Sequence, residues 1–338
     1  MRTARFIAVG FVFGLSVLAA TPGYRLAKRI PLGGEGGWDY LAVDAQAHRL
    51  YVSRGTHVAV VDLATDRQVA DIPGTPGVHG IALAPELGRG FISCGQAAHA
   101  VIFDLKTDKI LGTVPTGENP DAILFDRATQ RVFTFNGRSR DATVFDASTG
   151  KVVATLPLGG KPEFAAADGK GRVYANIEDT SEVVEIDGAK PAVLRRFSIK
   201  PGEEPSGLAL DAKDGLVFSG CSNKLMTVLD VKSGRVVATV PIGEGVDGCG
   251  FDPGTGLAFS SNGEGTLTVI RQVSPGKFEV AQTVPTQRSA RTMALDPDTH
   301  AIYLSAAQLG PRPKPTAENP RPRPEILKDT FTVLAVTR

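Results

Sequence analysis

The amino-acid sequence predicts an all-β ring: a seven-bladed β-propeller of four-stranded blades, closed by an N-terminal outer strand that completes the last blade. Three observations predict it. A short apolar strand ending in Asp recurs along the chain, a second motif of an apolar residue followed by Asp recurs at intervals of 41 to 43 residues, and 38 Gly with 23 Pro demand frequent turns. A period of about 40 to 45 residues is the length of one four-stranded propeller blade. With 338 residues, 42% of them hydrophobic, the chain can bury a large core.

The first element is a leader. Arg2 and Arg5 precede an uninterrupted apolar run over residues 6–20, and Val17-Leu18-Ala19-Ala20 supplies small residues for cleavage. This is the pattern of a secretory signal peptide over residues 1–20, with the propeller domain occupying 24–338. The alternative, a retained membrane anchor, is disfavoured because the run falls short of the roughly 20 residues a bilayer span needs. The formal charge is +1, and loss of the two leader arginines leaves the mature chain near neutrality at about −1. Such a chain has no global attraction for nucleic acid or anionic lipid. No transmembrane segment is expected after cleavage, and the mature chain is expected to be a monomer.

The blades follow. Inner strands end Leu41-Ala42-Val43-Asp44, Leu124-Phe125-Asp126, Ala209-Leu210-Asp211, Gly250-Phe251-Asp252 and Ala294-Leu295-Asp296, while residues 80–84 and 163–168 fill the two remaining places. Second strands include Leu50-Tyr51-Val52-Ser53 and Val132-Phe133-Thr134-Phe135-Asn136. Third strands end Val61-Asp62, Phe103-Asp104, Phe145-Asp146, Ile186-Asp187 and Leu229-Asp230, and turns such as Ser148-Thr149-Gly150-Lys151 lead to fourth strands such as Val152-Val153-Ala154-Thr155-Leu156-Pro157. β-Branched residues in the strands and Gly and Asp in the turns suit those conformations. The repeated Asp residues read as turn caps, since a catalytic group is needed once and not seven times.

The seventh unit ends after its third strand, residues 330–336, and residues 26–33 match the fourth-strand pattern although they precede the first blade. Pairing them closes the ring and removes an exposed edge. Six blades with a decorated end is the structural rival.

These motifs carry a family resemblance. The second-strand Leu50-Tyr51-Val52-Ser53 and the fourth-strand endings Pro115-Thr116-Gly117, Pro157-Leu158-Gly159 and Pro241-Ile242-Gly243 resemble the YVTN-type, YncE-like seven-bladed propeller repeats of exported bacterial proteins, over nearly the whole mature chain. The resemblance implies a periplasmic or secreted, WD40-like repeat protein, but no particular reaction.

In a propeller, the loops entering the inner strands share one face around the channel mouth. They contribute Asp39, His79, Asp121, Glu163, Ser206, Asp247 and Arg291, and the ends of the second strands contribute Arg54, Cys94, Asn136, Ile177, Cys221, Asn262 and Ala306. This polar, asymmetric set is the candidate binding site for a small polar ligand or a protein partner, with Arg288 beside it. Nothing in the motifs requires a cofactor. A Ca²⁺ or other divalent ion would suit oxygen ligands from Asp121, Asn136, Glu163 and Asp247, with His79 as the candidate catalytic proton carrier; that reading makes the chain a metal-dependent hydrolase resembling propeller lactonases. The alternative is polar lining of a wet channel. Cys221 and Cys249 face the same side in successive blades and offer a disulfide, separate buried thiols being the alternative.

One segment breaks the repeat. Residues 308–329 interrupt the last blade between its second and third strands, with a Pro- and Arg-rich stretch over 310–325 that includes Arg312, Lys314, Arg321 and Arg323. It reads as a basic lid or docking arm on the channel-mouth face. Single-stranded nucleic acid is disfavoured as its partner, because the segment has no aromatics for base stacking.

Overall fold

A computed structural model describes residues 23–316 and 322–338, so the signal-peptide segment and Arg321 lie outside the described residues. Within these residues the chain forms seven four-stranded antiparallel sheets, six of them simple meanders from the channel outward and the seventh completed by the N-terminal strand. The first blade, for example, runs Leu41–Asp44, Arg49–Ser53, His57–Asp62 and Arg67–Pro73. The only helical turns described are two single 3-10 turns, Pro85–Leu87 and Glu178–Thr180.

The closure is as expected from the orphan fourth strand. Arg25–Pro31 lies against the final strand Thr332–Thr337, with Arg25 opposite Thr337 and Ile30 opposite Val333. That sheet also holds Ile302–Ala306 and the short inner strand Met293–Leu295, so the seventh blade is complete and the six-blade alternative is overturned.

The core is distributed between blades. Each of seven apolar clusters joins two neighbours: Phe133 and Phe135 of blade 3 meet Val184 and Ile186 of blade 4, and Leu50 and Val61 of blade 1 meet Tyr303 and Val333 of blade 7. Burying both faces of each sheet supplies the hydrophobic driving force without a single central core. Close approach is built in where it is needed. A Cβ on Gly207 would lie 2.7 Å from the backbone N of Cys249, and one on Gly248 would lie 2.8 Å from that of Met293, so glycine at these positions lets successive inner strands touch.

The repeated aspartates cap turns. Asp62 Oδ1 accepts the backbone N–H groups of Ala64 and Thr65, and Asp104, Asp146, Asp187 and Asp230 accept equivalent bonds. Asp44, Asp126, Asp211, Asp252 and Asp296 do the same after the inner strands.

Candidate functional site at the channel mouth

Strand register positions the mouth residues. Val78, Pro120, Pro162, Pro205 and Val246 open five of the inner strands and are buried, and the next residues are His79, Asp121, Glu163, Ser206 and Asp247. Alternation along a strand turns these successors to the other side. Each of the five strands also changes register just past this point, as between Pro120 and Ile123 or between Val78 and Ile81. A bulge re-aims a side chain and frees it from the pleat, which is why such irregularities collect at functional rims.

Buried polar groups pin the backbone beneath. The Ser93 hydroxyl donates to the Asp121 carbonyl, the Asn176 amide to the Ser206 carbonyl at 3.0 Å, the Ser261 hydroxyl to the Arg291 carbonyl at 2.6 Å and the Thr292 hydroxyl to the Asp39 carbonyl at 2.6 Å. All four donor side chains are fully buried, and each reaches from one blade into the next. Sequence reasoning missed this set. For Ser93, Asn176 and Ser261 the signal is a polar residue one place before the end of a second strand, whereas Thr292 directly precedes an inner strand.

The side chains then meet. His79 Nδ1 lies 2.6 Å from Asp39 Oδ2 and 3.6 Å from Asp121 Oδ1. Arg291 contacts Asp247 directly and approaches Asp39 Oδ1 at 3.6 Å, while the Ser206 hydroxyl donates to Asp247 Oδ1 at 2.8 Å. Lys161 donates to Glu163 Oε1 at 2.7 Å and also contacts Glu178. Below this ring Tyr40 and Phe164 pack with centroids 5.2 Å apart. They belong to blades 1 and 4, so the contact crosses the channel and floors the mouth.

Burial and crowding of like charge set the protonation. Burial and the adjacent Asp39 push the Asp121 carboxyl up to about 6, and burial with Asp121 pushes Glu163 up to about 8 against the pull of Lys161. Burial opposes a charge on His79, but its bond to Asp39 and the Asp121, Asp39 and Glu163 carboxylates outweigh it and raise its pKa. The ring therefore holds exchangeable protons near neutral pH, the property of a site that binds polar ligands or transfers protons.

Not every expected residue arrives. Asn136 is fully buried inside blade 3, where its amide donates to Asp141 and Thr143 and its carbonyl accepts from Thr134. Asn262 repeats this in blade 6 with Thr266, Thr268 and Ser260. Full burial and these three bonds commit the Asn136 side chain to the interior of its own blade. Among the described residues, the group whose ligand atoms all lie within 4.8 Å of one another is Asp39, His79 and Asp121. The Cys221–Cys249 disulfide is also corrected: Cys94, Cys221 and Cys249 are free and buried. Cys221 packs with Val183 and Leu229 between blades 4 and 5, whereas Cys249 packs with Met226 and Ala258 between blades 5 and 6. Burial raises the thiols of Cys94 and Cys221 to about 12 and about 11, leaving them inert.

Arg288 stands outside the ring. It lines a cleft of about 600 Å³ with Arg291, Trp38 and the basic insertion. The insertion is tied at its base, where Gly310 N–H donates to Glu325 O at 2.8 Å and Leu327 N–H to Gln308 O at 2.9 Å. Among the described residues, no helix is long and apolar enough to cross a membrane.

No family model matches the chain, and no curated protein does. A solved structure, the hydrazine synthase of Kuenenia stuttgartiensis, is similar with a TM-score of 0.70 at 15% identity, covering 87% of this chain and 96% of that one. That likeness shows the propeller fold alone.

Proposed function

We propose that this chain is an exported binding propeller of the YVTN type that presents its channel mouth to a small polar ligand or a protein partner. The carrying observation is the convergence of Asp39, His79, Asp121, Glu163, Asp247 and Arg291, one ionisable side chain from each of six blades, above the Tyr40–Phe164 floor. Export rests on Arg2, Arg5 and the apolar run that follows them.

The second reading is a metal-dependent hydrolase. The grouping of Asp39, His79 and Asp121 favours it, since two carboxylates and an imidazole are ordinary ligands for a divalent ion. Metabolite mass spectrometry and elemental analysis of the purified mature chain decide between these readings. The binding reading expects a co-purifying small molecule, or a partner lost on deleting residues 310–325, that disappears in the triple variant Asp121→Asn, Glu163→Gln, Asp247→Asn. A stoichiometric divalent ion with lactone hydrolysis would favour the hydrolase, and identical contents in wild type and variant would remove the mouth from consideration.

A further inference from the structure

The cleft beside the ring carries charge that the fold does not use. Of its four arginines, only Arg291 has carboxylate partners, Asp247 and Asp39. Arg288, Arg312 and Arg323 have none within ion-pair distance among the described residues. Of the two acids in the lining, Glu244 is paired with Lys224 at 3.0 Å, leaving Glu264 as the one carboxylate without a cation. Three unpaired guanidinium groups against one carboxylate leave an excess of two positive charges facing a common space.

The lining also has an apolar part, made by Trp38, Leu309, Pro324 and Ile326. Trp38 is held against Phe331 with centroids 5.5 Å apart, and Phe331 is itself covered by the Arg54 guanidinium at 3.8 Å from its centroid. The volume of about 600 Å³ is that of a small-molecule site.

We propose that this cleft binds a small dicarboxylate with an apolar or ring-shaped body, its body against Trp38 and its two carboxylates held by Arg288, Arg312 and Arg323. Guanidinium forks match carboxylate geometry, and two negative charges balance the unpaired excess. The inference rests on the mouth-face binding role proposed above and names the ligand class.

Trp38 is the single Trp of the chain, so its emission reports the cleft directly. The mature full-length protein is titrated with trans-cyclohexane-1,2-dicarboxylate, cyclohexanecarboxylate, inorganic phosphate and hexaglutamate. The dicarboxylate is expected to give a saturable change at least about tenfold tighter than each of the others. Arg288→Gln and Arg323→Gln, both at exposed positions, are each expected to weaken it about tenfold. Arg127→Gln, which breaks only the surface pair with Glu86, is expected to leave it unchanged. Equal binding of the monocarboxylate or phosphate, tighter binding of hexaglutamate, or full affinity in both cleft variants would overturn the proposal. If the cleft fails while the triple ring variant still loses its co-purified ligand, the mouth-face reading survives and the cleft assignment alone falls.

Discussion

Asn136 shows how a polar residue at the rim of a strand is committed to structure. Its three bonds, to Thr134, Asp141 and Thr143, close within one blade because Asn136 pairs with Asp141 and Thr134 with Thr143 across the second and third strands. Replacing Asn136 by Ala leaves those buried partners short, and a loss of about 1 to 3 kcal/mol is expected in urea unfolding, with ligand affinity at the mouth unchanged. A fall in affinity without a fall in stability would return Asn136 to the site. The sequence shows such a residue but not its commitment, because the partners depend on register. The turn aspartates were legible for the opposite reason: their bonds close within two or three residues, and repetition marks them as structural. The Tyr40–Phe164 floor was not legible, since nothing local says that blades 1 and 4 face each other across the channel. The hint is size, as the residues following the other ring positions are Gly80, Ala122, Gly207, Gly248 and Thr292.

At the scale of elements, the strand Arg25–Pro31 joins the two ends of the chain. Ile30 is 1% exposed and packs with Val333, Phe331 and Val61, and the Thr332 hydroxyl donates to the Ile30 carbonyl at 3.0 Å. Ile30→Ala removes a fully buried side chain from the interface between blades 7 and 1, and about 2 to 5 kcal/mol of stability should be lost in chemical denaturation. A change below about 1 kcal/mol would mean that the closing strand contributes little. The seven strand sets and this closure were readable from periodicity and from the missing fourth strand. The cross-blade bonds of Ser93, Asn176, Ser261 and Thr292 were not, because each joins a side chain to a backbone carbonyl of the next repeat.

For the whole molecule, proton uptake is linked to folding. Glu163 and Asp121 carry pKa values raised to about 8 and about 6, and that of His79 is also raised, so the folded ring holds protons that the unfolded chain has already released. Stability from these groups is present at the acidic end of the window and declines as pH rises from about 4.5 to about 8. Asp146 works oppositely, held at about 2 by Ser148 and Thr149, so its contribution is lost as pH falls below about 4. The thermal midpoint should therefore be higher at pH 5.5 than at pH 8.5, and Glu163→Gln should flatten that decline. A midpoint that rises through this interval would contradict the assignment.

The central claim is that separate blades deliver one electrostatically coupled site, and His79 reports it most directly. Its imidazole can be followed through a pH titration by ¹H–¹⁵N NMR in the wild type and in Asp39→Asn. A coupled ring predicts that His79 titrates above the ordinary value of about 6.5 and falls toward it once the Asp39 charge is removed. A wild-type titration at or below that value, unmoved by Asp39→Asn, would show that the mouth residues are neighbours without being a site.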